Sequence, residues 1–107
     1  MNSYQVDLAK WRKLTIFEQM GNIGSEVGRA YSAYRRDNSA DFLGAYSRGL
    51  DLFDATAKVW ALKRDVARTR EILRARDQFV QAMVTGEADE ALENYFMQFA
   101  MAARLQR

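Results

Sequence analysis

The sequence contains no cysteine and no histidine. Without cysteine there is no disulfide bond, no thiolate nucleophile and no thiolate metal ligand. Without histidine, the most frequent general base and the most frequent zinc ligand are both missing. Acid–base chemistry would then depend on carboxylates and tyrosines such as Glu18, Glu26 and Tyr31, which need strongly shifted pKa values for that work. We therefore predict a protein that is not an enzyme and that needs no metal ion or other cofactor.

Proline is also absent, and glycine is scarce. Residues that favour helix, such as alanine, leucine and arginine, are plentiful, and no segment alternates apolar and polar residues as a strand does. No apolar run is long enough to cross a bilayer, and residues 1–13 lack the apolar core of a signal peptide. We expect one all-α domain over residues 1–107, in the cytoplasm and not in a membrane.

Apolar residues recur every three or four positions along four segments, which is the spacing of amphipathic helices. Thr15 followed by Glu18 has the pattern of a capping box, and Gly86 directly after Thr85 is a typical helix end. A short helical turn is expected in the N-terminal segment 1–13, with Ser3 as its cap and Trp11 buried. The longer helices are predicted at about 16–36, 40–62, 66–85 and 88–105.

Helices of similar length joined by short links are typical of an antiparallel up-down-up-down four-helix bundle. No glycine or proline marks the end of the second helix. We place that end near residues 62–65, because the apolar stripe of the third helix is rotated by about 140° from that of the second. Asp65 is the expected cap. The alternative is one continuous helix whose halves pack against different partners in a swapped dimer.

Three glycines, Gly21, Gly24 and Gly28, lie along one flank of the first long helix. Each costs a helix about 1 kcal/mol relative to alanine, so we interpret them as sites where another helix packs closely. If they do not pack, they form an exposed strip open to a partner.

Arg76 falls near the middle of the apolar face of the third helix. A buried guanidinium needs a partner, and Glu26 is the first candidate, with Asp54 the second. In the alternative, the side chain of Arg76 extends to the rim of the apolar face and reaches water.

A second apolar stripe follows the fourth predicted helix on the side opposite Leu92 and Phe99. It consists of Met97, Met101 and Leu105. A helix that is apolar on two sides is buried on two sides, which favours a homo-oligomer formed through this stripe. The alternative is that the N-terminal segment and Trp11 cover it. The predicted function is that of an interaction or scaffold protein, with no small-molecule substrate evident.

Basic residues are predicted to form a face of the third helix on the side away from its apolar stripe. They are Lys63, Arg64, Arg68, Arg70 and Arg74. Like charges one turn apart repel each other, and a phosphate backbone would relieve that repulsion. Binding of RNA or DNA is therefore the alternative function. The other interpretation is a solvated face balanced by neighbouring carboxylates, and the lack of interleaved aromatic residues argues against stacking on single-stranded bases.

Two segments carry a resemblance to known proteins: residues 11–30, WRKLTIFEQMGNIGSEVGRA, and residues 93–104, ENYFMQFAMAAR. Together they resemble a group of small uncharacterised bacterial proteins, over most of the chain. In size and helix layout, the chain is distantly similar to the four-helix-bundle proteins encoded in ribosomal RNA intervening sequences and to the accessory proteins of diversity-generating retroelements. That resemblance implies an oligomeric, basic bundle and, for the second group, association with nucleic acid.

Overall fold

A computed structural model describes residues 6–105, which form five α-helices and, within that range, no β-strand. The all-α prediction is thus confirmed. The helices are α1 (Leu8–Trp11), α2 (Ile16–Arg35), α3 (Ser39–Leu62), α4 (Val66–Thr85) and α5 (Glu90–Leu105). The four long helices agree with the predicted ones to within a residue or two at each end. Across this described range, none of the helices is both long and apolar enough to span a membrane.

The helix ends follow from local sequence. The hydroxyl of Thr15 accepts from the backbone N–H of Glu18 at 3.1 Å, and the Glu18 carboxylate accepts from the N–H of Thr15 at 2.9 Å. This is the predicted capping box. Asp65 caps α4 by accepting from the N–H of Arg68 at 2.9 Å, and Gly86 ends α4 in the left-handed conformation with φ 75°. All three predicted end signals are confirmed.

The first helix is shorter than the predicted N-terminal turn. Asp7 caps it by accepting from the N–H groups of Ala9 and Lys10. The expected cap, Ser3, lies outside the described residues. Trp11 is buried as predicted, and α1 packs against α3.

A sharp reversal separates α3 from α4. Lys63 is the C-cap of α3, Arg64 takes the left-handed conformation with φ 61°, and Asp65 is the N-cap of α4. Three residues are enough for the reversal because Arg64 adopts a backbone conformation that no helix continues. The structure therefore contradicts the alternative of one continuous helix through this region.

The core lies where α2 meets its neighbours. α2 packs against both α3 and α5, α3 also packs against α4, and the contact between α4 and α5 is the slightest of these. The apolar line of α2 consists of the residues at the predicted three- and four-residue spacing. Ile16, Met20, Ile23, Val27 and Tyr31 of this line are buried, whereas Tyr34 is half-exposed and donates its hydroxyl to the carbonyl of Gly86. The largest fully buried side chains are Tyr31, Phe53, Phe79, Met20, Ile23, Ile72 and Leu92.

The three glycines of α2 do not act alike. A Cβ atom placed on Gly24 would lie 2.6 Å from Cβ of Phe96 in α5, a separation that real Cβ atoms do not show. Gly21 faces the backbone of Ala100, whose Cα would lie 3.7 Å from a Cβ there. A Cβ on Gly28 would meet nothing within 4 Å. Gly24 is therefore the position where close packing requires glycine. Gly21 lies against α5 with room for ordinary van der Waals contact, and Gly28 has no neighbour to pack against, so the close-packing prediction is wrong there.

A buried polar network joins α1, α2 and α3. Gln19, fully buried, donates its side-chain amide to the carbonyl oxygen of Trp11 at 2.9 Å, and its Oε1 accepts from the indole N–H of Trp60 at 2.8 Å. The indole N–H of Trp11 donates to the hydroxyl of Thr56 at 2.8 Å. The network holds α1 in place, because each buried polar group has its partner on another element.

Candidate functional site

The predicted stripe on the last helix is an exposed apolar surface of α5. Met97, Met101 and Leu105 are 57%, 53% and 84% exposed, whereas Leu92 and Phe96 of the same helix are buried. Because α1 packs against α3 and the indole of Trp11 donates to a residue of α3, Trp11 does not cover the stripe. We call Met97, Met101 and Leu105 the α5 surface.

The five predicted basic residues do not form one face. Lys63 and Arg64 lie in the link before α4, and only Arg68, Arg70 and Arg74 lie on the helix. Arg68 is engaged, because its guanidinium pairs with Glu71 at 3.2 Å and lies over the ring of Trp60.

The side chain of Lys63 also lies over Trp60, with Nζ 4.4 Å from the ring centroid. Arg64, Arg70 and Arg74 remain exposed. The Trp60 indole that Lys63 and Arg68 share belongs to α3, so the pattern of charges along the chain did not indicate it.

More cations gather at the same end of the molecule than the sequence argument found. The position of α1 on α3 brings Arg12 beside Lys58 and Lys63 in one groove. Two carboxylates of this region, Asp7 and Asp65, are engaged as helix caps. We call the following residues the basic end: Lys10, Arg12, Lys13, Lys58, Lys63 and Arg64.

Acidic residues gather where α4 ends and α5 begins. Carboxylates follow the end of α4 and occupy the first turn of α5, where they complement the positive end of the helix dipole. Glu93 also pairs with Arg35 of α2 at 2.6 Å, and this contact raises the pKa of Arg35 above its ordinary value. The acidic residues are Glu87, Asp89, Glu90 and Glu93.

The predicted pair between Arg76 and Glu26 is wrong. Arg76 pairs with Asp54, the second candidate, at 2.8 Å. Glu26 is buried between two guanidinium groups instead, with Arg29 at 2.6 Å and Arg48 at 3.0 Å. The reason is the helix arrangement: α3 packs against α4, so an acid on α3 meets α4, whereas Glu26 of α2 faces the flank of α3.

Two of the three residues considered for acid–base work are engaged in other contacts. Glu18 belongs to the capping box and Glu26 to the two ion pairs. Tyr31 is buried, and that burial raises its pKa to about 12. Within residues 6–105, no group of three or more acidic side chains is arranged to hold a metal ion.

Comparison with models of protein families, with curated proteins and with solved structures finds no match for this chain. Functional interpretation therefore rests on the two surfaces described above, which are the α5 surface and the basic end.

Proposed function

We propose that this protein is a non-enzymatic scaffold that self-associates through the α5 surface. The supporting observation is the exposure of Met97, Met101 and Leu105 on one side of a helix whose other side enters the core. We also infer that the four long helices form an antiparallel up-down-up-down bundle. Links of three or four residues support that topology, because short links place consecutive helices side by side and antiparallel.

The chemistry of α5 suits pairing with a second α5. Methionine side chains are flexible and polarizable, so they adapt to a facing surface. The helix starts with Glu90 and Glu93 and carries Arg104 in its last turn. In a two-fold dimer with antiparallel α5 helices, the acidic first turn of one α5 therefore lies near Arg104 in the last turn of the other.

Light scattering on the purified protein tests this proposal. The native chain should have a multiple of the single-chain mass, and the variant Met97→Glu/Met101→Glu should approach the single-chain mass, because carboxylates would be buried without partners. The control is Leu43→Glu/Val84→Glu, which alters two similarly exposed apolar residues on α3 and α4 and should keep the native mass. A native chain that is monomeric, or a Met97/Met101 variant of unchanged mass, would contradict the proposal.

A second candidate function is binding of RNA or DNA. It is supported by the exposed cations Arg70 and Arg74 of α4, which follow Arg64 of the basic end along the chain and together with the basic end give more exposed cations than the sequence indicated. Phosphate binding releases counterions, so affinity must fall steeply as salt rises.

Fluorescence anisotropy with a labelled RNA duplex over a salt series tests this second candidate. Arg64→Gln/Arg70→Gln/Arg74→Gln should reduce the slope of log affinity against log salt by about 3, since each lost phosphate contact removes nearly one unit. A matched variant, Arg29→Gln/Arg36→Gln/Arg104→Gln, removes the same charge elsewhere and should keep the slope. Equal losses in both variants would show attraction by net charge alone, without a site on the α3–α4 side.

A further inference from the structure

A groove with an apolar floor runs between α1 and α3. Its volume is about 480 Å³, and its apolar lining includes Leu8, Val59 and Leu62. Leu62 is 75% exposed, although it lies in the last turn of a well-formed helix. The groove is therefore apolar surface that the described part of the chain leaves in contact with water.

Among residues 6–105, the polar side chains that line this groove are all cationic. They are Arg12, Lys58 and Lys63, and no aspartate or glutamate of that range lines it. None of the three takes part in an ion pair among residues 6–105. The carboxylate of Asp7, at the start of α1, is used by the backbone N–H groups of Ala9 and Lys10. The rim thus carries positive charge that no neighbouring carboxylate in the groove neutralises.

Apolar surface and unneutralised cations together define a class of ligand. We propose that the groove binds a monomeric anionic amphiphile, such as a fatty-acid carboxylate. The acyl chain lies over Leu8, Val59 and Leu62, and the anionic head group contacts Arg12, Lys58 and Lys63. The volume falls within the range of about 300–1,000 Å³ that is typical of small-molecule sites, which are mostly apolar with a few placed polar groups.

The shape of the site favours a single chain over an extended partner. The groove is bounded on one side by a helix of only four residues, so it covers one acyl chain and not a long helix. A nucleic acid would engage the cations but leave the apolar floor exposed. This inference is independent of self-association, because the α5 surface and the groove have no residue in common.

Calorimetric titration with decanoate, below its micelle-forming concentration, is the direct test. Decanoate should bind with a stoichiometry of one per chain. Decan-1-ol, with the same chain and no charge, should bind about tenfold more weakly or worse, since several ion pairs of modest strength are lost. Acetate, with the charge and no chain, should show no saturable binding. Affinity for decanoate should also fall as salt rises.

Two variants with the same loss of charge separate the groove from general attraction. Arg12→Gln/Lys58→Gln/Lys63→Gln should weaken decanoate binding by about tenfold, since each exposed ion pair contributes a few-fold. Arg70→Gln/Arg74→Gln/Arg104→Gln removes three exposed cations outside the groove and should leave that binding unchanged. If the first variant does not fold, as judged by circular dichroism, Leu62→Asn at an exposed position should still weaken binding by shortening the apolar floor.

Four outcomes would overturn the proposal. They are the absence of saturable decanoate binding, equal affinity for decanoate and decan-1-ol, equal loss of affinity in the two triple variants, and binding to vesicles of anionic phospholipid without binding to monomeric decanoate. The last outcome would assign the cations to a lipid surface instead of a single-chain site.

Discussion

Two glycines one turn apart on α2, Gly24 and Gly28, lie in opposite environments. The first touches Phe96 of α5, and the second faces open space. Sequence spacing places both on the same flank, so it could not distinguish them. Which glycine is required depends on where α5 crosses α2, and that crossing is a property of the folded chain.

Gly24→Ala should destabilise the fold by about 1–3 kcal/mol, because the added methyl group overlaps Phe96 and the two helices must separate. Gly28→Ala should raise the free energy of unfolding by about 0.5–1 kcal/mol, because alanine favours helix and no neighbour opposes it. Urea denaturation followed by circular dichroism measures both. A similar effect of the two substitutions would mean that α5 does not cross α2 at Gly24.

The buried hydrogen bonds of Gln19 give a second test at the level of single residues. Gln19→Leu should cost about 1–3 kcal/mol, because it leaves the indole N–H of Trp60 without its partner and removes a buried hydrogen bond to the Trp11 carbonyl, which keeps only the N–H of Leu14. The same replacement at the exposed Gln81 of α4 should change stability by less than about 0.5 kcal/mol. Equal unfolding midpoints for the two variants would show that the network carries no net stabilisation.

The hydrogen-bond and ion-pair partners of individual side chains were the hardest features to predict from the sequence. The buried Gln19 gives no signal in the sequence, because a polar residue beside an apolar stripe is usually exposed. Glu26 and Asp54 were both assigned to Arg76, and only the helix order decides between them. The apolar line of α2 was predictable because its burial depends on period alone.

At the scale of helices and links, the residues that mark helix ends in the sequence reliably predicted where the helices begin and end. Thr15, Asp65 and Gly86 act on the backbone within three or four residues, so the sequence contains the whole interaction. The placement of α1 against α3 could not be predicted, because it depends on long-range hydrogen bonds of Trp11 and Gln19. The groove and part of the basic end depend on that placement, and for this reason the sequence did not indicate them.

The left-handed backbone of Arg64 in the α3–α4 link can be tested by substitution with glycine. Arg64→Gly should stabilise the protein by about 0.5–1 kcal/mol, because glycine adopts the left-handed conformation at φ 61° without the cost that a side chain brings. Lys63→Gly should destabilise it by a similar amount, since Lys63 has a helical backbone and glycine gains nothing there. Thermal and urea unfolding of the two variants measure these changes in stability. A destabilising Arg64→Gly would mean that α3 and α4 are not joined by this reversal.

At the scale of the whole molecule, the two buried phenols link stability to pH. Burial raises the pKa of Tyr31 to about 12 and also raises that of Tyr95 above its ordinary range. In an unfolded chain a tyrosine loses its proton near pH 10. The folded state therefore holds protons that the unfolded state releases, and the stability that they contribute is complete below about pH 10 and is lost as pH rises towards 12.

Unfolding in urea between pH 9 and pH 11.5 tests this linkage. The native free energy of unfolding should fall over that interval, and Tyr31→Phe/Tyr95→Phe should show a shallower fall because both buried protons are removed from the balance. The comparison of slopes isolates the phenols from lysine and arginine, which both proteins share. Parallel slopes would show that neither phenol is coupled to folding.

The all-α class and the limits of the long helices were within reach of sequence reasoning, because composition and period determine them locally. The separation between the basic end and the acidic residues around the start of α5 could not be predicted from the sequence, since it depends on how α1, α3 and α5 are placed. The α5 surface could be predicted only in part. Its residues could be named from the period, whereas their exposure depends on α1 packing elsewhere.

The contact between Gly24 and Phe96 also has a genetic consequence. Every missense change of a single base in a glycine codon yields a residue with a Cβ atom, so each such step at position 24 meets the same overlap with α5. Position 28 accepts several of these steps without contact. Among descendants of this gene, position 24 should therefore stay glycine while position 28 varies, although the two glycines look equivalent in the sequence.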